Sequence, residues 1–228
     1  RRVLFRSDVW RAAPVLSWLQ NSLVVGLLGA VAVTLSSAAV AFGFAYFRFR
    51  GRDVLFGLVL ATMMLPGAVT MIPVYLIWNE LGFINTLVPL WAGNLFGSAF
   101  YVFLLRQFYL TLPRDLFNAA RIDGANYFQM WLRVALPLTR TAMIVVFVFE
   151  FKALWTDLMK PLIYLFDNTL FTMPRGIKTL VDRFGQGGEM QWEIVLAATV
   201  ILTIPLILIF FLGQRYFIEG ISASGVKE

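Results

Sequence analysis

The chain has 228 residues, of which 60% are hydrophobic and only 14% are charged. Soluble domains carry about 25% charged residues, so this composition excludes an ordinary water-soluble fold and favours a membrane protein. The lack of cysteine excludes disulfides and thiolate metal sites. The lack of histidine removes the commonest general base, although carboxylate catalysis stays open. The net charge of +6 is dispersed between apolar runs, which disfavours a nucleic-acid-binding surface.

Five apolar stretches are long enough to be membrane-spanning helices, which need about 20 mainly apolar residues. In chain order they are residues 19–47, 54–78, 86–105, 141–165 and 194–212. The first is rich in small residues, which let helix backbones approach closely in lipid. Pro66 and Pro73 lie inside the second, where we expect a kinked helix. The prediction is an all-α, polytopic helical membrane bundle with five spans.

The first 18 residues are expected to be an N-terminal remnant, with the transmembrane domain at 19–228. Residues 1–7 include LFRS, which one reading frame of a common sequencing adapter would encode. This remnant is therefore expected to be partly non-native, and no functional prediction depends on it.

The placement of positive charge predicts the orientation of the spans, because Lys and Arg concentrate in cytoplasmic loops. We place the loop at 48–52 in the cytoplasm, which puts 107–140 and the C-terminus there too and leaves 79–85 and 166–192 outside. The predicted cytoplasmic set is Arg48, Arg50, Arg52, Arg106, Arg114, Arg121, Arg133, Arg140, Arg215 and Lys227; the external loops hold only Arg175, Lys178 and Arg183. We predict a multi-pass membrane protein with its C-terminus in the cytoplasm.

The polar segment at about 107–140 interrupts the apolar pattern with LPRDLFNAARIDGANYFQMWLRVALPL. We predict two short helices, the first beginning at Pro113 and broken at Gly124, as glycine does just beyond a helix end. Pro137 marks entry to the next span. An amphipathic helix lying on lipid headgroups would give this pattern. An Ala-rich knob docking into a partner's groove would also give it, and periodicity alone does not separate the two.

The run NAARIDGA and the later Leu136–Pro137 resemble the cytoplasmic coupling loop of ABC importer permeases. That loop runs Glu-Ala-Ala, a few residues, then Gly, and later Leu-Pro; Ala119, Ala120 and Gly124 fall on it. Three further segments resemble the maltose- and glycerol-phosphate-type branch, and with them the resemblance covers about 19–228: MMLPGAVTMIPVYLIWNELGFINT, ALWTDLMKPLIYL and GQRYFIEGISASGVKE.

This sequence departs from the family pattern at two positions. Asn118 stands where the loop usually begins with Glu, and Thr156 stands where an Asn usually follows the Trp. We retain the docking role of the loop, but an ion pair made by the usual Glu would be missing. The family normally has six spans, so we expect one to be lost with the N-terminus.

The resemblance implies a type I ABC importer permease fold and a role as the transmembrane subunit of a binding-protein-dependent importer. Its solute would be a sugar, oligosaccharide, polyol or glycerol-phosphate-like molecule. Its partners would be a second permease, two ATPase subunits and an extracytoplasmic solute-binding protein. The chain has no phosphate-binding G-x-x-x-x-G-K-[ST] motif. We therefore expect no enzyme activity and no cofactor in this chain, with ATP and Mg bound by the partner ATPase.

The predicted ATPase-coupling residues are Asn118, Ala119, Ala120, Arg121, Asp123 and Gly124. By the resemblance, the two alanines would fill the ATPase groove and Gly124 would permit the turn. Asp123 would orient the loop, or only cap the helix locally. The C-terminal tail Gly225, Val226 and Lys227 would also contact the ATPases, with a frayed terminus as the alternative.

Two charged residues, Glu150 and Lys152, lie inside the fourth predicted span. They face nearly opposite sides of a helix, so one of them could line the solute pathway. A partner on a neighbouring helix or on the companion permease is the preferred interpretation. Two other function classes stay open here: a secondary transporter, which broken helices would suit, and a membrane-embedded enzyme.

Overall fold

The computed structural model describes residues 10, 13–184 and 192–225. All regular structure in this part of the chain is helical. The α-helices are α1 Val15–Tyr46, α2 Arg52–Thr62, α3 Gly67–Glu80, α4 Val88–Trp91, α5 Ala99–Thr111, α6 Arg114–Ile122, α7 Tyr127–Met130, α8 Leu136–Leu138, α9 Arg140–Thr156, α10 Met159–Tyr164, α11 Met173–Phe184 and α12 Trp192–Gly225. A π-helical turn, Trp131–Ala135, joins α7 to α8, and 3₁₀ turns lie at Ala92–Phe96 and Asn168–Leu170.

The expected number of spans agrees with the helices in the described residues. Three helical stretches are long and apolar enough to cross a membrane: Val15–Tyr46, Val88–Thr111 and Trp192–Gln214. Two further candidates are bent pairs, α2 with α3 and the stretch Tyr127–Leu138 with α9. Counting each bent pair as one span gives five, and the all-α membrane bundle is confirmed.

The second span is broken rather than kinked. Helices α2 and α3 meet at an angle of 95°, whereas we expected only a kink. Proline lacks a backbone N–H, and it disfavours helical geometry in the residue before it. Pro66 therefore ends the helical run that precedes it, whereas Pro73 lies within α3 without breaking it.

The predicted ends of the third and fourth spans were wrong. Helix α5 continues six residues beyond the predicted end and stops at Leu112, whose extended backbone suits the following Pro113. Helix α9 ends at Thr156, nine residues early. There the Asp157 carboxylate accepts hydrogen bonds from the N–H groups of Met159 and Lys160, which starts α10. Asp157 and Lys160 also form an ion pair at 4.0 Å.

One compact unit is formed by Arg1–Gly29, Val74–Gly93 and Phe149–Leu212, as far as these are described. Its core surrounds Trp18, which is fully buried and whose Nε1 donates to the carbonyl of Asn168 at 2.7 Å. Gly176 lies directly against the Trp18 ring, and a Cβ there would fall 2.2 Å from it. The first helix therefore contributes core residues from before the predicted start of the first span.

The polar loop predicted at 166–192 contains helix α11, which we did not predict. Its buried residues Met173 and Leu180 join the core of the first unit, while Lys178 and Asp182 form an exposed ion pair. Ahead of it, Asp167 accepts from the N–H and hydroxyl of Thr169. These two donors lower the pKa of the Asp167 carboxyl below its usual value.

A second compact unit is formed by Ala30–Pro73, Asn94–Val148 and Gly213–Glu228, as far as these are described. The small residues of α1 permit close backbone approach here, as expected. Ser37 Oγ accepts from the N–H of Ser98 at 3.1 Å, and Ser36 Oγ donates to the carbonyl of Asn94 at 3.2 Å. Gly97 has φ of 79°, and a Cβ there would lie 3.3 Å from Ser37 Oγ.

Candidate functional site

The coupling segment, residues 113–139, begins with helix α6. Pro113 precedes it with extended backbone, and Asp115 in its first turn and Arg121 in its last turn both complement the helix dipole. Phe117 is buried within the second unit, whereas most of the helix surface is exposed. A single aromatic side chain thus fixes which face of this short helix points inwards.

The turn after α6 has the geometry that the sequence predicted. Gly124 has φ of 80°, a left-handed conformation that glycine adopts without steric cost. Its N–H donates to the carbonyl of Arg121, and the N–H of Ala125 donates to that of Ala120. This pair of bonds is the Schellman motif, which closes the end of a helix with its own backbone.

Asn126 and Gln129 start the next helix, a feature that the sequence analysis missed. The Asn126 side chain accepts from the N–H of Gln129 at 2.8 Å, and the Gln129 side chain accepts from the N–H of Asn126 at 2.9 Å. This reciprocal pair is a capping box. The spacing Asn-x-x-Gln was available in the sequence as its signal. Between two caps, the turn holds its shape by local bonds.

Aromatic rings attach both helices of the coupling segment to the end of α1. The Phe117 ring centroid lies 5.3 Å from that of Tyr46 and 5.9 Å from that of Phe42. The Tyr127 ring lies 5.0 Å from that of Phe47. Such ring pairs stabilise a contact beyond the apolar area that they bury. These ring pairs join both helices of the coupling segment to the end of α1.

The predicted coupling residues divide between two faces. Asn118 and Ala119 are exposed, and the neighbouring Ile122, which was not among the predicted residues, is 86% exposed. Ala120 is half-buried and packs against the unit's own core. Asn118, Ala119 and Ile122 thus form the outward face of α6, which we call the α6 outer face.

The remaining predicted coupling residues lie at and just beyond the C-terminal end of helix α6. Arg121, Asp123 and Gly124 are exposed. The Asp123 N–H donates to the carbonyl of Ala119, and within the described residues its carboxylate has no hydrogen-bond partner. Asp123 therefore closes α6 through its backbone and leaves its charge on the surface.

The other predicted functional residues lie elsewhere in the chain. In α9, Glu150 is half-buried and Lys152 is exposed, and nothing in their positions assigns either to a solute pathway. Gly225 is the last residue of α12, whereas Val226 and Lys227 lie outside the described residues. The tail contact therefore stays a prediction.

Comparison with known proteins identifies the family. Residues 36–222 match the family described as binding-protein-dependent transport system inner membrane component. The arabinooligosaccharides transport system permease protein AraQ of Bacillus subtilis (strain 168) is 33% identical over 210 residues, covering 92% of this chain and 73% of that protein. The sn-glycerol-3-phosphate transport system permease protein UgpE of Brucella abortus (strain 2308) is 36% identical over 203 residues, covering 89% and 71%.

A further relative and a solved structure agree with this assignment. The osmoprotective compounds uptake permease protein GgtD of Synechocystis sp. (strain ATCC 27184 / PCC 6803 / Kazusa) is 33% identical over 222 residues, covering 97% of this chain and 74% of that protein. The fold matches a chain of a bacterial ABC transporter involved in the import of the acidic polysaccharide alginate, with a TM-score of 0.78 and 22% identity over 95% of this chain and 78% of that chain.

These similarities give no support to a secondary transporter. The family consists of transport permease subunits and not of enzymes, and its members are multi-pass inner-membrane proteins. The chain belongs to the inner-membrane components of binding-protein-dependent transport systems and is a transmembrane permease subunit of an ABC importer.

Proposed function

We propose that this subunit forms part of the pathway for a sugar, oligosaccharide, polyol or glycerol-phosphate-like solute, and that its coupling segment docks into a partner ATPase. The names of the relatives support this solute class. The α6 outer face carries the docking part of the proposal: a rigidly capped helix presents Ala119 and the highly exposed Ile122 to a partner.

The complete transporter would contain a second permease, two ATPase subunits and an extracytoplasmic solute-binding protein. ATP and Mg would be bound by the ATPases, so this chain would hold no cofactor of its own. The arginine distribution favours a cytoplasmic coupling segment and a cytoplasmic C-terminus. Gly225, Val226 and Lys227 would lie on that side and contact the ATPases.

Coupling would work by biasing two global states of the transporter. Closure of the ATPase pair would move α6, and the Phe117 and Tyr127 rings would carry this displacement to the end of α1. Such coupling requires that the ATPase binds α6 differently in the inward-open and outward-open states. Asn118 would contact the groove through its neutral amide, without the ion pair that a Glu could make there.

The substitution Gly124→Trp in the assembled complex tests the docking role, with Gly82→Trp as its matched control. Both glycines have positive φ, 80° and 75°, and at both a Cβ would meet no atom within 4 Å. Local strain is therefore similar, and only Gly124 lies in the coupling segment. We expect Gly124→Trp to lower solute-stimulated ATPase activity and uptake more than about tenfold, as when docking loses roughly 1.4 kcal/mol.

Three outcomes separate docking from its alternatives. Equal losses in both variants would show that backbone strain, and not docking, is the cause. Unchanged uptake and ATPase activity in Gly124→Trp would refute the coupling role. The headgroup alternative is tested with Ile122→Asp: if ATPase subunits still co-purify normally while the segment leaves the lipid surface, α6 lies on the membrane.

A further inference from the structure

A basic cavity lies in the second unit, at the end of the first span and beside the start of the coupling segment. It has a volume of about 720 Å³, within the range of roughly 300–1,000 Å³ that proteins use for small ligands. Its wall includes the end of α1 and the loop after it, the first turn of α2, the C-terminal half of α5 and the first residue of α6. The charged side chains in this wall are Arg48, Arg52, Arg106, Arg114 and Asp53.

Within the described residues, one of these arginines has a carboxylate at ion-pair distance, and the charge of that carboxylate also acts on Arg106. Arg52 Nε lies 2.9 Å from Asp53 Oδ1. In the described part of the chain, no carboxylate lies within ion-pair distance of Arg48, Arg106 or Arg114. Four arginines against one aspartate leave an excess of three positive charges, which an anion entering the cavity would compensate.

Contacts within the second unit hold Arg106 in a position where it can bind an anion in the cavity. Its guanidinium carbon lies 4.3 Å from the centroid of the Phe56 ring, a cation–π contact with a buried residue of α2. Its Nε is buried and has no hydrogen-bond partner within the described residues. A buried N–H without a partner is costly, so a ligand that accepts this bond would be favoured. The planar guanidinium suits phosphate oxygens in particular.

The cavity is flanked by apolar side chains that remain exposed. Val54 and Leu110 line it and are 68% and 48% exposed. One helical turn beyond Val54, on the same side of α2, Leu58 is 60% exposed. Free phosphate gains no stability from contact with apolar side chains, whereas the acyl chains of a lipid would cover them.

We propose that this cavity binds the phosphate of an anionic phospholipid headgroup, with the acyl chains lying along Val54 and Leu58. Basic pockets between spanning helices at the membrane surface recognise such headgroups. Arg48, Arg106 and Arg114 hold the phosphate, and bound lipid stabilises the packing of α2 against α5. By the proposed orientation this lipid belongs to the cytoplasmic leaflet.

The test measures lipid retained by the purified complex. The complex is placed in nanodiscs containing equal parts of phosphatidylglycerol and phosphatidylcholine, then extracted and analysed by native mass spectrometry. The variants are Arg48→Gln, the double variant Arg48→Gln with Arg106→Gln, and the control Arg50→Gln. Arg50 lies in the same loop and is exposed, but it does not line the cavity.

We expect Arg48→Gln to lower retention of phosphatidylglycerol roughly tenfold, because it removes a charge-assisted hydrogen bond to the phosphate that only a cavity-lining arginine makes. The double variant is expected to lose more, and Arg50→Gln to match the wild type. Arg106 packs on Phe56, so the double variant is used only if it elutes as an intact complex. If it does not, Arg48→Gln tests the proposal alone, because Arg48 is exposed and its substitution should leave the fold intact.

Several results would overturn the proposal. Equal loss in Arg48→Gln and Arg50→Gln would indicate attraction to the basic loop as a whole, without a site. Displacement of the lipid by inorganic phosphate at low concentration would assign the cavity to free phosphate. Unchanged lipid retention combined with weaker ATPase association would make the cavity a protein contact.

Discussion

Two polar segments interrupt the apolar pattern of this chain, and they are stabilised in different ways. The coupling segment is closed by its own backbone and caps and is attached through aromatic rings such as Phe117. The second polar segment, residues 166–184, is joined to the first helix by specific hydrogen bonds. Trp18 donates to it, Asn21 donates to two of its carbonyls, and Ser22 accepts from the N–H of Met173.

The two polar segments also differ in how far their apolar side chains are exposed. The turn of the coupling segment is closed by bonds among its own residues, and the segment presents the highly exposed Ile122. Its side-chain hydrogen bond to α1 is a long one, from the Tyr46 hydroxyl to Met130 Sδ at 4.0 Å. In the second polar segment, helix α11 buries its apolar residues in its own unit, including Met173 and Leu180. Its stability depends on side chains of α1, and it cannot move without breaking those bonds.

The largest expected effect comes from removing the aromatic anchor of the coupling segment. Phe117→Ala deletes a buried ring that packs on Phe42 and Tyr46, and buried Phe→Ala substitutions cost about 3–5 kcal/mol. We expect a clear fall in the thermal unfolding temperature of the purified complex and a loss of coupled uptake. The control Leu116→Ala removes a neighbouring side chain that is 43% exposed. If Phe117→Ala and Leu116→Ala lower the unfolding temperature equally, Phe117 is not the side chain that fixes α6 to the unit.

Gly176→Ala should destabilise the second polar segment by about 2–3 kcal/mol. The new methyl group would lie 2.2 Å from Cε3 of the buried Trp18 ring, and overpacking a filled core costs about 1–3 kcal/mol. The control is Gly57→Ala in α2, where a Cβ meets no atom within 4 Å; there alanine should favour the helix by up to about 1 kcal/mol. If thermal unfolding shows Gly176→Ala to be as stable as wild type, the close packing on Trp18 is wrong.

Ser22→Ala tests whether polar bonds fasten the second polar segment. It leaves the buried N–H of Met173 without its acceptor at 2.8 Å, which costs about 1–3 kcal/mol. Faster hydrogen exchange should then be confined to the start of α11. Thr203→Val is a suitable control, because that exposed hydroxyl bonds only to its own helix. Unchanged exchange at Met173 would mean that the contact is unimportant.

The sequence predicted local features of the site well. Gly124 was expected to break the helix because glycine adopts positive φ, and its turn has that conformation. Local backbone rules suffice for such a feature, since its bonds lie within a few residues. The Asn126–Gln129 capping box obeys an equally local rule, so its Asn-x-x-Gln spacing predicts the start of the second helix as directly as Gly124 predicts the end of the first.

Features that depend on distant partners could not be predicted from the sequence. Phe117 lies in a polar stretch, and only the folded chain brings the Phe42 ring against it. The sequence predicts a loop where helix α11 forms, because the apolar positions of this helix are interleaved with charges. The break at Pro66 was predicted as a kink because a proline in a spanning helix permits both outcomes, and its neighbours decide between them.

The smallest expected effect tests whether the coupling segment is self-contained. Asn126→Ala removes one half of the capping box, and the loss of an N-cap costs about 1 kcal/mol. Because both bonds of the box join Asn126 to Gln129, Gln129→Ala alone should cost less, and the double variant should cost less than the sum of the two. Hydrogen exchange should rise in the turn from Gly124 to Gln129 and stay unchanged in α11. If exchange rises equally in both polar segments, the coupling segment does not hold its turn by local bonds, and the contrast between the two segments disappears.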